Sequence, residues 1–454
     1  MSTKKLNVPR RQFLKASLQT LAVPYFFSSF PKLAGATASK NDRIKIGLIG
    51  AGGMGVGNME AARDWCDVVA IADVDREHTD SANQRLCQGK AAVYGDYRKV
   101  LERKDLDAIH IATPDHWHAK ALIESMLAGF DVYCEKPLTL TIDEGKLIRD
   151  VLRRTGRIVQ VGTQQRSQFD TFVKAIALVN EGRLGKIKRI EARIDGGERS
   201  PSLPIASVPT TLDWDKWLGP TPRIEYRQLA RDHVFPFSNC HYEFRWWYQF
   251  SGGKLTDWGA HHIDIAMWAL AVNDQLPKSI HISGSAQHDV PFINGMPSID
   301  DRYNTATDFH FQATMSNDVE LLIKSKGDNG VLIEGDKGRI FVNRGKLTGK
   351  PVEQLKDDPL PEDALANVYK QLPMIDNERR AHWANFFHCI ENRVEPISDI
   401  DSHIAGLNVA HLAAICGRIN RDVEWDAVTE QVVGDDEAQR FLSRPYRAGY
   451  EIEA

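Results

Sequence analysis

Several features are scarce in this chain of 454 residues. Its six cysteines (Cys66, Cys87, Cys134, Cys240, Cys389 and Cys416) lie far apart and never in a C-x-x-C pair, so neither structural zinc nor a redox dithiol is indicated. No block of basic residues occurs beyond position 38, which argues against nucleic acid as a partner. There is no internal repeat and no low-complexity tract. The apolar run Ala16–Phe30 contains Gln19, Pro24 and several serines, so it is too short and too polar for a membrane span.

What is present is ordinary globular material, with 42% hydrophobic and 26% charged residues. The length calls for two domains. The first residues stand apart. Pro9-Arg10-Arg11-Gln12-Phe13-Leu14-Lys15 resembles a twin-arginine export signature, and Ala34-Gly35-Ala36 or Ala36-Thr37-Ala38 suits small-residue cleavage. Residues 1–38 are therefore expected to be a signal peptide, which directs the protein to the periplasm or outside the cell. Its removal takes away six basic residues and no acidic ones, so the net charge falls from −4 to −10. The twin-arginine route carries proteins that fold in the reducing cytoplasm, so the cysteines are expected to be mostly free and buried.

Behind this segment the apolar run Ile44–Ile49 breaks into Gly50-Ala51-Gly52-Gly53-Met54-Gly55. A buried strand ending in G-x-G-x-x-G is how a doubly wound sheet receives a dinucleotide: one glycine turns the chain, one admits the pyrophosphate, and one packs helix on strand. Val56–Trp65 is long enough for the helix, and Asp67–Ala72 reads as a second buried strand. That strand ends at Asp73, where an acid binds the adenosine ribose hydroxyls and repels a 2′-phosphate. NAD is the expected cofactor; Arg76 nearby leaves NADP open.

Strand-like and helix-like segments then alternate. Asp107–Thr113 closes with Pro114, a helical stretch runs from His118 to Ala128, Asp131–Cys134 ends in Glu135-Lys136-Pro137, and Ile142–Arg154 is followed by the strand 157–162. Such alternation marks a parallel sheet with crossover helices. Past about residue 166 the character changes. Ile187–Ile194 alternates with period two, as an antiparallel strand exposed on one face does. The expectation is an α/β protein with a Rossmann doubly wound parallel sheet over 43–165. Residues 166–454 are expected to form a C-terminal α/β domain with an open, mostly antiparallel sheet and a tail that wraps the body.

Two segments carry candidate chemistry. Lys136 ends a Rossmann strand, where ligands bind in open sheets, and its charge would steady a substrate oxygen; a cis Pro137 would turn it into the cleft. In Gly252–Asp264, a helix beginning near Asp257 puts Asp257, His261 and Asp264 on one face. A carboxylate one turn from an imidazole would orient it as a general base. Metal is the competing reading of Asp257, His261, His262 and Asp264, but the spacing fits no common zinc motif, and the expected metal is none. His116-Trp117-His118 is read as cofactor packing or capping.

The glycine loop, Thr113-Pro114 with His116 and His118, Glu135-Lys136-Pro137 and Asp257-x-x-x-His261 stand in the order and spacing of a known group. Together they resemble the glucose-fructose oxidoreductase, inositol dehydrogenase and rhizopine-catabolism (Gfo/Idh/MocA) family over residues 43 to about 445. The twin-arginine segment, Trp214–Pro220 and Asp257–His262 look closer to a secreted branch of it. The resemblance implies that Lys136 is the active-site lysine, His261 the acid/base and Asp257 its partner. It also implies that Thr113 to His116, with Glu135, wall the nicotinamide ribose and that the open sheet pairs copies into a homo-oligomer. The substrate would be a sugar or polyol. Trp246, Trp247, Tyr242 and Trp258 are candidates to stack on its ring, with at least two of the four expected to pack in the core instead, and Arg166, His241 and His262 are candidates to bind its hydroxyls. The family's NAD-dependent glycosidases supply the alternative activity.

Overall fold

The computed structural model describes residues 43–370, 375 and 377–454. The twin-arginine segment lies outside the described residues. Six parallel strands form the first sheet: β1 (Ile44–Ile49), β2 (Cys66–Ala72), β3 (Ala92–Tyr94), β4 (Ala108–Ile111), β5 (Asp131–Cys134) and β6 (Val159–Val161). Their spatial order is β3-β2-β1-β4-β5-β6, with Leu48 of β1 opposite Ile71 on one side and His110 on the other. The chain order reverses between β1 and β4, which opens the ligand crevice at their carboxyl ends. Helices α1 (Gly53–Ala62), α2 (Arg76–Cys87), the short α3 (Arg98–Leu101), α4 (Asp115–Leu127) and α5 (Ile142–Thr155) make the crossovers. Strands β4 and β5 are buried along their whole length, as strands covered on both faces must be.

The second sheet has nine strands. Its centre is β7 (Ile187–Arg193), parallel to Glu320–Lys324 and antiparallel to Gly330–Gly335; the other pairings are antiparallel. Ile187, Ile190 and Ala192 of β7 are buried, whereas Lys188 and Arg189 face solvent. On the buried face lie two helices, Gly259–Val272 and Ile400–Ile419, in one core with both sheets.

A late helix completes the first sheet's cover. Glu378–Asn392 sends Trp383, Phe386 and Phe387 into a core with Ile46, Leu48 and Tyr133, and Trp383 stacks on Tyr133 at 4.0 Å. This helix comes from the second half of the chain and packs on the first sheet. The final residues return to α4: Lys120 donates to the Glu451 carbonyl at 2.6 Å, and Tyr450 packs edge-on against Trp117. All six cysteines are unpaired, five of them buried. No described helix is long and apolar enough to cross a membrane.

Candidate active site

At the end of β1, Gly50 takes φ +88°, and a Cβ there would stand 2.6 Å from the Ala112 carbonyl. Only glycine fits so close to β4. A Cβ at Gly55 would lie 2.2 Å from the Gly50 oxygen, so this glycine seats α1 on the strand end. Gly52 and Gly53 are different. A Cβ at Gly53 would meet nothing within 4 Å, and one at Gly52 only the His78 ring at 4.0 Å. Both line a cavity of about 470 Å³. The start of α1 has no side-chain cap, so its free N–H groups and positive dipole end suit a pyrophosphate.

One end of the cavity is acidic. Asp73 accepts from Ala51 N at 2.7 Å and Asp75 N at 2.9 Å, and its unused lone pairs suit ribose hydroxyls. Asp75 caps α2 through Glu77 N and meets His241 Nε2 at 3.2 Å; this bond and the cap hold its carboxyl at about 2 against the opposing effect of burial. His78 lies 3.4 Å from Asp73 and 4.5 Å, ring to ring, from His241; burial would lower its pKa, but Asp73 raises it. Thus His241, expected at the substrate, stands at the ribose end with φ +48°. Asp75, His78 and His241 are close enough to share a cation, although the carboxylates already pair with the imidazoles.

The other end holds Lys136. The Lys136–Pro137 bond is cis. Lys136 Nζ bonds Asp257 Oδ1 and reaches the Asp257 carbonyl at 3.2 Å, while Arg245 Nη1 lies 3.3 Å from Oδ2. Burial would raise the Asp257 carboxyl, but the two cations hold it well below the usual range. Thr113, Pro114, His118 and Glu135 line this half of the cavity. Glu135 accepts from Asn58 at 2.7 Å and Gln164 at 3.0 Å; burial raises its pKa, with Lys136 opposing. The Thr113 hydroxyl is buried without a partner, an orphan that a bound nucleotide can satisfy. His118 contacts the Thr113 and Pro137 carbonyls, both at 2.7 Å. Two residues here escaped the sequence reading: Arg245 and Asp115. The latter sat between Pro114 and His116, inside a motif read only for its histidines.

The expected Asp257–His261 pair does not form. Helix α6 (Lys254–Asp257) ends at Trp258 and α7 (Gly259–Val272) starts anew at Gly259, so the i, i+4 stacking is interrupted and Asp257 turns to Lys136. His261 is buried but is not among the cavity-lining residues; its Nε2 lies 3.4 Å from Arg344 and its Nδ1 has no partner. Burial, then Lys136 and Arg344, keep it neutral, well below the usual histidine range.

Several expected ligands serve the fold instead. Arg166 is 2% exposed and grips Asp264 through two bonds of 2.6 and 2.8 Å, so its charge is already spent. His262 contacts the Arg193 carbonyl at 3.0 Å, Trp246 sits in an aromatic core, and His116 is packed between Trp217 and Phe250. His116 and His118 stand in the first turn of α4, directly behind Pro114 at its N-cap position. Of the four proposed stacking residues, Tyr242 lines the cavity, whereas Trp246, Trp247 and Trp258 do not. The suspected metal ligands Asp257, His261, His262 and Asp264 do not converge on one point.

Two family profiles match this chain: "Oxidoreductase family, NAD-binding Rossmann fold" over residues 44–163 and "Oxidoreductase family, C-terminal alpha/beta domain" over 197–452. A "Glycosyl hydrolase family 109 protein" of Shewanella pealeana is 31% identical over 180 residues, 38% of this chain and 39% of that protein. An "Alpha-N-acetylgalactosaminidase" of Shewanella oneidensis is 31% identical over 173 residues, 33% of this chain and 38% of that protein. The match thus spans about two fifths of these relatives. Among solved structures, levoglucosan dehydrogenase in complex with NADH and levoglucosan superposes with a TM-score of 0.60 at 18% identity, over 84% of this chain and 99% of that one. The oxidoreductase domain protein from Kribbella flavida superposes with a TM-score of 0.59 at 19% identity, over the same shares. With a nucleotide cradle in the first half and both halves matched, the chain belongs to the Gfo/Idh/MocA family of oxidoreductases, and its cofactor is NAD.

Proposed function

We propose that the protein moves a hydride between a hydroxyl-bearing carbon of a sugar or polyol and NAD. The observation that carries this reading is a single cavity that runs from the glycine loop and Asp73 to Lys136 and Asp257. Gly52, Gly53 and Asp73 would hold the nucleotide, with Thr113, Pro114, His118 and Glu135 along its nicotinamide half. Bound NAD supplies the hydride acceptor. Lys136, released in part from Asp257, would steady the substrate oxygen as negative charge builds on it. His261, kept neutral, would accept the hydroxyl proton once substrate or a water bridges to it. Tyr242, 44% exposed and stacked on Phe235 at 4.6 Å, offers an aromatic face for a sugar ring.

A second reading is supported by the α-N-acetylgalactosaminidase relative. In it, the same hydride transfer is transient: oxidation at sugar carbon 3 acidifies carbon 2, the aglycone leaves by elimination, water adds, and the ketone is reduced again. Export favours such redox-neutral use. We propose that the twin-arginine segment sends the folded protein, already loaded with nucleotide, to a compartment without a dependable NAD supply. Self-association through the open sheet belongs to the same proposal, and sedimentation of the mature chain tests it.

The experiment is to purify natively exported protein, denature it and identify the released nucleotide. The intact protein is then offered free sugars and activated glycosides. A dehydrogenase changes nicotinamide absorbance with a free sugar; a glycosidase releases the aglycone with no net change. Protein exported without nucleotide would overturn the preloading, and silence in both assays would overturn the substrate class.

A further inference from the structure

Asp115 has no role in the reading above. It opens α4 directly behind Pro114, is 5% exposed, and lines the same cavity as Lys136 and Asp257. A buried carboxyl normally requires a cation in contact. Here Lys136 and Arg245 both bond Asp257, and the partner of Asp115 is a hydroxyl: Ser251 Oγ donates to its Oδ2 at 2.6 Å. Ser251 is itself fully buried, just ahead of α6, so the contact joins the two halves of the chain. The cavity therefore contains two carboxyls in opposite surroundings. Asp257 is held ionised between two cations. Asp115 is pushed up to about 7, first by burial, with the Ser251 bond opposing it, Asp257 adding to it, and Lys136 and Arg245 opposing. Environments that drive two carboxyls apart in this way divide acid and base roles between them.

We propose that Asp115 stores the proton that accompanies reduction of the cofactor, a carboxylate beside NAD+ and a carboxylic acid beside NADH. The proposal rests on the hydride-transfer reading. In the hydride-transfer reading the carbinol would lose its C–H electron pair as hydride and its O–H proton, and that proton, taken first by His261, would come to rest on Asp115. The substrate is oxidised by two electrons, NAD+ is reduced, and no proton is lost to solvent. In the reverse direction the same proton returns to the substrate oxygen, which suits a redox-neutral cycle. The cause is electrostatic. Thr113, Pro114 and Glu135, which line the same end of the cavity as Asp115, would hold the nicotinamide, whose oxidised ring is a cation that favours a nearby carboxylate and whose reduced ring is neutral.

By linkage, a site whose protonation differs between two bound states makes their relative affinity depend on pH. The test is competition between NAD+ and NADH for the full-length protein, read by nicotinamide fluorescence from about pH 5.5 to 8.5; it needs no substrate and works on nucleotide-loaded protein. The preference for NAD+ over NADH should rise with pH, by up to about tenfold per unit near neutrality, and then level off. Asp115→Asn should abolish the rise. Ser251→Ala should keep it but move its midpoint to higher pH, because the bond that favours the carboxylate is gone; a purely structural role would leave the midpoint unmoved. His78 at the ribose end cancels from the ratio, since both nucleotides carry the same adenosine. A flat ratio in the wild type, or a rise that survives Asp115→Asn, overturns the proposal, and a rise lost in Glu135→Gln would transfer the role to Glu135. A wrong substrate class leaves these ratios untouched, so the two failures are told apart.

Discussion

Lys136 and Asp257 meet across the two halves of the chain: the ammonium two residues beyond β5 bonds both the carboxylate and the backbone carbonyl of the residue that ends α6, 121 positions later. Arg245 supplies the second cation on the same carboxylate. This pair closes one wall of the cavity and sets its charge.

Removing that carboxylate should harm stability and activity separately. Asp257→Asn leaves two largely buried cations facing each other, and the loss of one partner from such a pair costs about 3–5 kcal/mol. Lys136→Met should restore part of the melting temperature and none of the turnover. If Asp257→Asn melts like the wild type, the pair does not hold the two halves together.

The glycines of the loop should divide into two kinds. Gly55→Ala forces a methyl to within 2.2 Å of the Gly50 oxygen and should lower the melting temperature. Gly53→Ala places its methyl in open cavity, where it should leave the melt unchanged or raise it slightly, since alanine favours a helix by up to about 1 kcal/mol over glycine. NAD affinity should nevertheless fall at least about tenfold, the loss of one close contact. Titration of NAD into both variants, beside their melts, checks the split.

Arg166 should prove structural. Its two bonds to Asp264 lie in full burial, so Arg166→Met strands a carboxylate and should cost about 3–5 kcal/mol, while NAD content per folded molecule stays at the wild-type level. A stable variant with weakened substrate binding would restore the role expected from the sequence.

The contrast between Arg166 and Gly50 shows what a sequence displays. The glycine loop, the strand–helix alternation and Lys136 at a strand end are local: turn geometry and side-chain period are written in adjacent residues. Partnerships are not. Nothing near Arg166 announces Asp264, 98 positions away, and nothing near His241 announces Asp75. The Asp257–His261 reading fails for a related reason, because i, i+4 proximity holds only along an unbroken helix, and the one local sign of the break at Trp258 is the single glycine that follows it, Gly259. Asp115 was overlooked because burial, not spacing, gives it its character.

Acid should destabilise the protein well above the carboxylate range. Burial pushes His110, His116 and His411 down to about 3, and His118 and His382 to about 4. In the unfolded chain these rings titrate at about 6.5. Below that value the unfolded state binds more protons at these sites than the folded one, so stability falls as pH drops, by about 1.4 kcal/mol per unit for each ring, until the folded values are reached; Asp115 and Glu144, which burial pushes up to about 7, act in the opposite direction, but five rings outweigh two carboxyls. Urea unfolding at about pH 7.5, 6 and 5 should show midpoints that fall steadily; equal midpoints at 7.5 and 5 would contradict the burial of these rings.

His261→Ala decides the proton acceptor. The imidazole is neutral and buried, its Nδ1 has no partner, and its Nε2 faces Arg344, so it is primed to accept a proton only when substrate bridges to it. If it is the base, turnover of whichever sugar or glycoside is active should fall by about 10²–10⁴-fold, the usual contribution of a general base, with nucleotide content unchanged. The variant removes a ring without breaking an ion pair, so its melt should change only by a cavity cost of about 2–5 kcal/mol. Turnover at the wild-type rate would remove His261 from the chemistry and leave Asp115 as the one poised acceptor on the cavity wall. Lost turnover together with lost nucleotide would instead mean that the ring supports the site's shape, and His261→Gln, which fills the space without the basicity, separates these outcomes: it should restore the nucleotide and not the rate.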